Sequence, residues 1–159
     1  MSSMIATGGP ANPPGRDNVP NSPWWPSVSF AAYRAASRID RTASDPQAYK
    51  QLSEAVARVN GQIAGWFGNQ IALNPAITCL QDIPAPAHQA VDYFEARYLR
   101  AVHSAADALL AEDFRDFDSS AEGDRRADAL EGRIDAYRRE SQYAIADITG
   151  QSRRRVELL

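Results

Sequence analysis

The sequence predicts an all-α protein: a small antiparallel bundle of about four helices over residues 27–150, a flexible arm at 1–26 and an extended tail at 151–159. Three observations predict it. Apolar residues recur at steps of three and four along the long central stretches. Residues that start or stop helices stand at the edges of those stretches. No stretch of useful length alternates apolar with polar residues as a strand would.

The arm holds Pro10, Pro13, Pro14, Pro20, Pro23 and Pro26 among Gly, Ser and Asn, so it cannot be helical and can bury little. Trp24-Trp25-Pro26 closes it. Two adjacent tryptophans are costly to leave in water, so the arm should dock here. It either caps the domain's own core or anchors on a neighbouring subunit, since Trp is favoured at interface hot spots.

Ser29 can cap a short first helix running to about Ile39, with Phe30 and Tyr33 on one face. Asp45-Pro46 reads as the start of the second, Asp as N-cap and Pro at the first helical position. Leu52, Val56, Val59, Ile63 and Trp66 follow at steps of 4, 3, 4 and 3 and make one face. Gly61 and Gly65 on this helix each cost about 1 kcal/mol relative to Ala. Close approach of another backbone or fraying toward Gly68-Asn69 would account for them. Residues 68–86, with Pro75, Pro84 and Pro86, read as a loop.

The third helix is expected from near Pro86 to about Phe114, with Val91, Phe94, Tyr98, Val102, Ala105 and Leu109 as its stripe. Ala101, Ala105, Ala106 and Ala108 would let neighbouring helices pack closely. Ser119 followed by Glu122 is a capping box that opens the fourth helix. That helix carries Ala127, Leu130, Ile134, Tyr137, Ser141, Ile145 and Ile148, and Gly150 suits its C′ position. At roughly 30 residues it would be about 45 Å long. Asp135–Arg139 and Glu122–Arg126 stand in the favourable i, i+4 order, worth about 0.2–0.5 kcal/mol each.

Composition limits the function. The 159 residues suffice for one domain with a modest core, and 44% hydrophobic with 23% charged is ordinary for a soluble globular chain. The net charge of −3 argues against a protein whose main task is coating nucleic acid. Cys79 is the single cysteine, so neither an intrachain disulfide nor a thiolate metal cluster is expected. No basic and apolar leader and no apolar run of membrane-spanning length is present, so no signal peptide and no membrane association are expected.

Residues that could carry chemistry are few. His88 and His103 lie 15 apart without a paired ligand motif. His103 and Asp107 could share a hydrogen bond, a structural pairing far more often than a catalytic one. Cys79 lacks an activating base. Gly8-Gly9 is not followed by the residues of a phosphate loop. Glu112, Asp113, Asp116 and Asp118 read as a solvated acidic helix end, and beside Phe114 and Phe117 they could form a docking surface. Neither a cofactor, a metal nor a catalytic group is expected. Arg153-Arg154-Arg155 followed by Val156-Glu157-Leu158-Leu159 does not look like a solvated leftover. The arginines suit pairing with a partner protein better than weak, non-specific attraction to nucleic acid.

The run Leu109-Leu110-Ala111-Glu112-Asp113-Phe114-Arg115-Asp116-Phe117-Asp118-Ser119-Ser120 leads into Gly123-Asp124-Arg125-Arg126-Ala127-Asp128-Ala129-Leu130. Then come Ile134-Asp135, Arg138-Arg139, Ala144-Ile145-Ala146-Asp147-Ile148, Gly150 and the closing Arg155-Val156-Glu157-Leu158-Leu159. With Phe30-Ala31-Ala32-Tyr33-Arg34 and Ala55-Val56-Ala57-Arg58-Val59-Asn60, this order resembles the head completion (GPL-type) family of contractile-tailed phages over residues 25–159.

The resemblance implies a non-enzymatic virion structural protein, present in the host cytoplasm during assembly. It would bind below the portal after DNA packaging and form a ring, dodecameric if it follows the portal. It would present a surface to the next neck or tail-completion protein while DNA passes through the lumen without specific binding. By position, Arg153, Arg154, Arg155, Val156, Glu157, Leu158 and Leu159 would be the portal-binding tail. Trp24, Trp25, Phe114 and Phe117 are candidate inter-subunit contacts. The competing reading is a DNA-binding packaging accessory protein of the small-terminase kind. It would need a basic recognition helix, and carboxylates outnumber arginines on the fourth helix.

Overall fold

The computed structural model describes residues 17–37, 39, 43–117 and 121–152, and the side chains of 115–117 and 121–129 fall outside that description. Beyond it also lie the Ser119 side of the expected capping box, residues 1–16 of the expected arm and residues 153–159 of the expected tail. The fold is helical, as the periodicity requires. Two residues of β1 (Asn18–Val19) pair antiparallel with two of β2 (Val28–Ser29), and four helices follow: α1 (Phe30–Ala36), α2 (Asp45–Leu73), α3 (Tyr93–Phe117) and α4 (Ala121–Thr149). A 3-10 turn at Leu80–Asp82 interrupts the loop between α2 and α3.

The first two helices begin where a side chain satisfies free backbone N–H groups. Ser29 Oγ accepts from the Ala32 N–H at 3.2 Å and starts α1. α1 stops at Ala36, short of the expected Ile39. Ser37 turns extended there, and its hydroxyl is drawn to Asp107, 2.7 Å away. α2 starts one residue earlier than the Asp-Pro pair suggests. Ser44 is the N-cap, in a capping box with Gln47, while Asp45 and Pro46 occupy the first turn.

The expected stripe of α2 is buried at Leu52, Val56, Val59 and Ile63, but Phe67 rather than Trp66 continues it inward. A helix advances 3.6 residues per turn, so the face drifts round by the fourth turn. Neither explanation offered for Gly61 and Gly65 holds. A Cβ at either would meet nothing within 4 Å, and the helix runs on past Gly68-Asn69 to Leu73.

α3 starts at Tyr93, not near Pro86. Pro86 opens a turn instead: its carbonyl accepts from the Gln89 N–H at 3.0 Å, and His88 takes a left-handed φ of 68°. Val91 therefore precedes the helix and leaves the stripe. Phe94, Tyr98, Val102 and Leu109 remain in it, and Ala105 is half-buried against the core. α4 ends as expected, with Gly150 at φ 70° after Thr149. Ile134, Ser141, Ile145 and Ile148 are buried, whereas Leu130 and Tyr137 are half-buried.

The three long helices are antiparallel in sequence order. Gln51 meets Asp113 and Asn60 meets Tyr98 across α2 and α3, while Arg138 meets Glu112 and Ser141 meets Ala101 across α4 and α3. α3 is therefore central. Ala101, Ala106, Ala108 and Ala111 are buried along it, small enough to let α4 approach until Ser141 Oγ donates to the Ala101 carbonyl at 2.9 Å. The salt links on this seam differ from the expected i, i+4 pair. Asp135 lies 3.7 Å from Arg138, which also reaches Glu112 at 2.7 Å.

Residues 17–26, placed in the arm by composition, pack on the bundle. Val19, Trp25 and Pro26 are buried. The Trp25 ring stacks on Tyr98 at 5.9 Å between centroids and meets Phe67 at 4.9 Å, aromatic contacts each worth about 0.5–1.5 kcal/mol beyond area burial. Asn21 donates to Tyr98 Oη (2.9 Å) and to the Pro26 carbonyl (3.0 Å), and accepts from Asn60 Nδ2 (2.9 Å). Tyr98 in turn donates to Asn60 Oδ1 at 2.8 Å, which closes a ring of hydrogen bonds joining this segment to α2 and α3. Burial pushes the Tyr98 phenol up to about 12, so it stays a donor at every physiological pH.

Candidate assembly interface

One end of the bundle gathers the end of α2, the 74–92 loop, the start of α3 and the end of α4. The loop is built from its own polar residues. Asp82 Oδ2 accepts from the backbone N–H and hydroxyl of Thr78, both at 2.7 Å, and from the Cys79 N–H at 3.1 Å. These bonds, those from Thr78 foremost, lower the Asp82 carboxyl to about 2. Ile77, Leu80 and Ile83 turn inward as anchors. The Leu80 N–H donates to the Trp24 carbonyl at 2.9 Å, which binds the loop to the tryptophan pair.

The same end exposes three large apolar side chains: Val91 at 98%, Leu73 at 81% and Trp24 at 51%. Val91 borders a cleft of about 250 Å³ whose other walls are Leu80, Gln81, Ile83, Asp92, Phe94 and Glu95. An apolar floor with two carboxylates on its rim suits an apolar segment flanked by cations. The last turn of α4 is fixed to the start of α3. Tyr93 Oη donates to the Asp147 carbonyl at 3.4 Å, Arg97 lies 3.4 Å from the Asp147 carboxylate, and the Arg97 guanidinium sits 5.2 Å from the Tyr93 ring centre. The chain beyond Gly150 therefore leaves from this end.

The residues singled out in the sequence do not form one patch. Trp25 is covered by its own chain, Trp24 is half-exposed at the loop end, and Phe114 is half-buried toward the opposite end of α3. The Phe117 side chain and Arg153–Leu159 lie outside the described residues. The sequence pattern places Val91 of the cleft on the core stripe and Leu73 in a loop, whereas both are exposed here. Only the left-handed turn at His88 moves Val91 out of the helix, and no local sequence signal announces that turn.

The groups that could suggest catalysis serve the fold. Glu112 pairs with Arg138, and Asp113 accepts from Gln51, while Asp116 and Asp118 lie outside the side chains described. Asp107 takes its hydrogen bonds from Tyr33 (2.9 Å) and Ser37 (2.7 Å), not from His103, and so ties α1 to α3. Burial raises the Asp107 carboxyl, and burial together with that carboxylate raises the Tyr33 phenol. The ring of His103 packs against Tyr33, its Nε2 is buried without a hydrogen-bond partner among the described residues, and burial lowers its pKa. Among the described residues, no three His, Cys, Asp or Glu are grouped to hold a metal ion, and no helix is long and apolar enough to cross a membrane. What the geometry offers is binding by burial of apolar surface at one end.

The family model for the phage head completion protein (GPL) matches residues 19–159. The chain belongs to the phage head completion protein family. It is also 28% identical over 135 residues to the head completion/stabilization protein of Escherichia phage P2, covering 85% of this chain and 79% of that protein. No solved structure matches it significantly. The family match starts at Val19, the first buried residue of the described chain, and takes in both the buried seam and the loop end. A head completion protein is a structural component of the phage particle, and the all-α bundle expected from the sequence is the architecture it has here.

Proposed function

We propose that this head completion protein acts as an adaptor ring: copies of it bind below the portal after DNA is packaged and offer the next neck or tail-completion protein a surface. The observation that carries the reading is the convergence, on one end of the bundle, of exposed Val91, Leu73 and Trp24 with the point where residues 151–159 leave α4. Arg153, Arg154 and Arg155 steer that segment toward an acidic surface, and Val156, Leu158 and Leu159 are then buried, each worth about 1.5–3 kcal/mol if fully covered. The segment follows a helix stop, so the bundle does not depend on it. Ordering it costs free energy that a partner offsets, so self-association is weak alone and strong on the portal. The protein does no catalysis in this role. Its host-cell stage is the cytoplasm, where the particle is assembled.

The net charge of −3 suits a wall past which DNA slides without being held. Co-sedimentation with purified portal assemblies tests the reading. The protein should pellet with the portal in a fixed ratio, and no binding under any salt condition would overturn it. A duplex-DNA titration is the companion test. Affinity tighter than about micromolar at physiological salt exceeds ordinary non-specific binding and would favour a packaging accessory protein.

A further inference from the structure

The cleft between the 80–83 turn and the start of α3 is apolar inside, acidic at its rim and open. We propose that it receives residues 153–159 of a second copy of this chain, and that this contact is the self-association of the protein before the portal claims the same segment. The proposal rests on the reading of 153–159 as a docking segment.

Complementarity is the first argument. The segment reads Arg-Arg-Arg-Val-Glu-Leu-Leu, three cations and then three apolar residues. The cleft offers Leu80, Ile83, Val91 and Phe94 beside Asp92 and Glu95. Among the described residues, neither of those two carboxylates is in an ion pair, and Val91 is 98% exposed.

Geometry favours a neighbour's segment over the chain's own. Tyr93 and Arg97 lie on the face of α3 that holds α4. Glu95 is two residues from Tyr93, about 200° round the helix axis, so the cleft opens on the other side. Among the described residues, no part of α4 lines it. To reach its own cleft, a chain leaving Gly150 would pass round α3, an arc of roughly 16–19 Å for a helix 10–12 Å across. Extended at about 3.4 Å per residue, a chain leaving Gly150 brings only Arg155 to the rim and leaves Arg153 and Arg154 strung along α3, whereas a neighbour's segment can set all three arginines there. A donor segment and an acceptor cleft on opposite sides of one subunit make a head-to-tail contact, the kind that closes into rings.

Disulfide trapping tests this in a Cys79→Ser background. One chain carries Val91→Cys and another Leu158→Cys, and the two are mixed under mild oxidation. Val91 is exposed and Leu158 lies beyond α4, so neither change burdens folding. The heterodisulfide should dominate over both homodisulfides. Reversing Asp92 and Glu95 to Arg should cut its yield several-fold, and adding portal should suppress it. Homodisulfides alone, or no product at all, would overturn the proposal. So would a chain bearing both cysteines that closes on itself and forms no cross-linked dimer. The two readings fail separately. Portal binding without the heterodisulfide leaves the adaptor reading intact, and the heterodisulfide without portal binding leaves the cleft contact intact.

Discussion

The middle of α3 and its first turn are parts of one helix under opposite demands. From Ala101 to Ala111 almost every side chain is buried, because α2 and α4 cover the helix on two sides and the segment carrying α1 covers more. At the first turn Phe94 is buried against Trp66, while the residues just before the helix leave Val91 in solvent beside an open cleft. The middle is apolar because the fold needs it, and its alanines set how closely α4 approaches. Nothing in the fold requires an apolar residue at Val91. Among the described residues nothing covers Val91, and this separates the part of the helix that makes the bundle from the part that the proposed assembly would use.

The sharpest way to break this comparison is a charge in the middle. Val102→Asp on α3, or Ile134→Asp on α4, would bury an unpaired carboxylate and should unfold the protein, a loss of more than about 4 kcal/mol. Circular dichroism with unchanged helix content and melting would refute the core assignment. Tyr33→Phe should cost about 1–3 kcal/mol, because the buried Asp107 carboxylate loses one of its two donors. Urea unfolding measures it, and an unchanged midpoint would show that the α1 tie is idle.

The pH response sharpens the same region. The pKa of His103 is lowered by burial, so the folded state keeps it neutral where the unfolded chain, at 6.5, takes up a proton. Its contribution is complete above pH 6.5 and is lost as pH falls from there toward the lowered value of the folded state, at no more than about 1.4 kcal/mol per pH unit. Asp107 acts in the opposite sense. Its pKa is raised, so it favours the folded state below the ordinary value of 3.8 and opposes it as pH rises from there. The two separate in a His103→Phe variant, whose stability should fall less than that of the parent between pH 7 and 5. Parallel curves would mean that His103 is solvated. The smallest effect is expected just before α3. Val91→Ser should change stability by no more than about 0.5 kcal/mol and should weaken self-association, measured by analytical ultracentrifugation.

The same division explains what could be read from the sequence. The Ser29 cap and the Gly150 stop are local patterns and fall where the spacing puts them, while the stripes of α2 and α4 do so in the main, with Phe67 in place of Trp66 and with Leu130 and Tyr137 only half-buried. The start of α3 is not such a pattern. Pro86 is equally suited to a helix start and to a turn, and the left-handed His88 decides for the turn. The Asn21–Tyr98–Asn60 ring and the Tyr33–Asp107–Ser37 tie join residues 38 to 77 positions apart, so no window along the chain contains them. Trp25 shows both sides. Its need for burial was plain from its chemistry, but its partners Phe67 and Tyr98 came only with the fold. The proposed docking end is legible in its parts, in Trp24 and the Arg153–Leu159 segment, but not as one surface, because the spacing places Val91 in the helix and only the turn at His88 removes it.

The most direct test is portal co-sedimentation of the full chain beside a chain lacking residues 151–159. The account predicts that the shortened protein keeps its melting temperature, since α4 stops at Thr149 before the deleted residues, and no longer pellets with the portal. A shortened protein that stays folded and joins the portal as well as the full chain would contradict it.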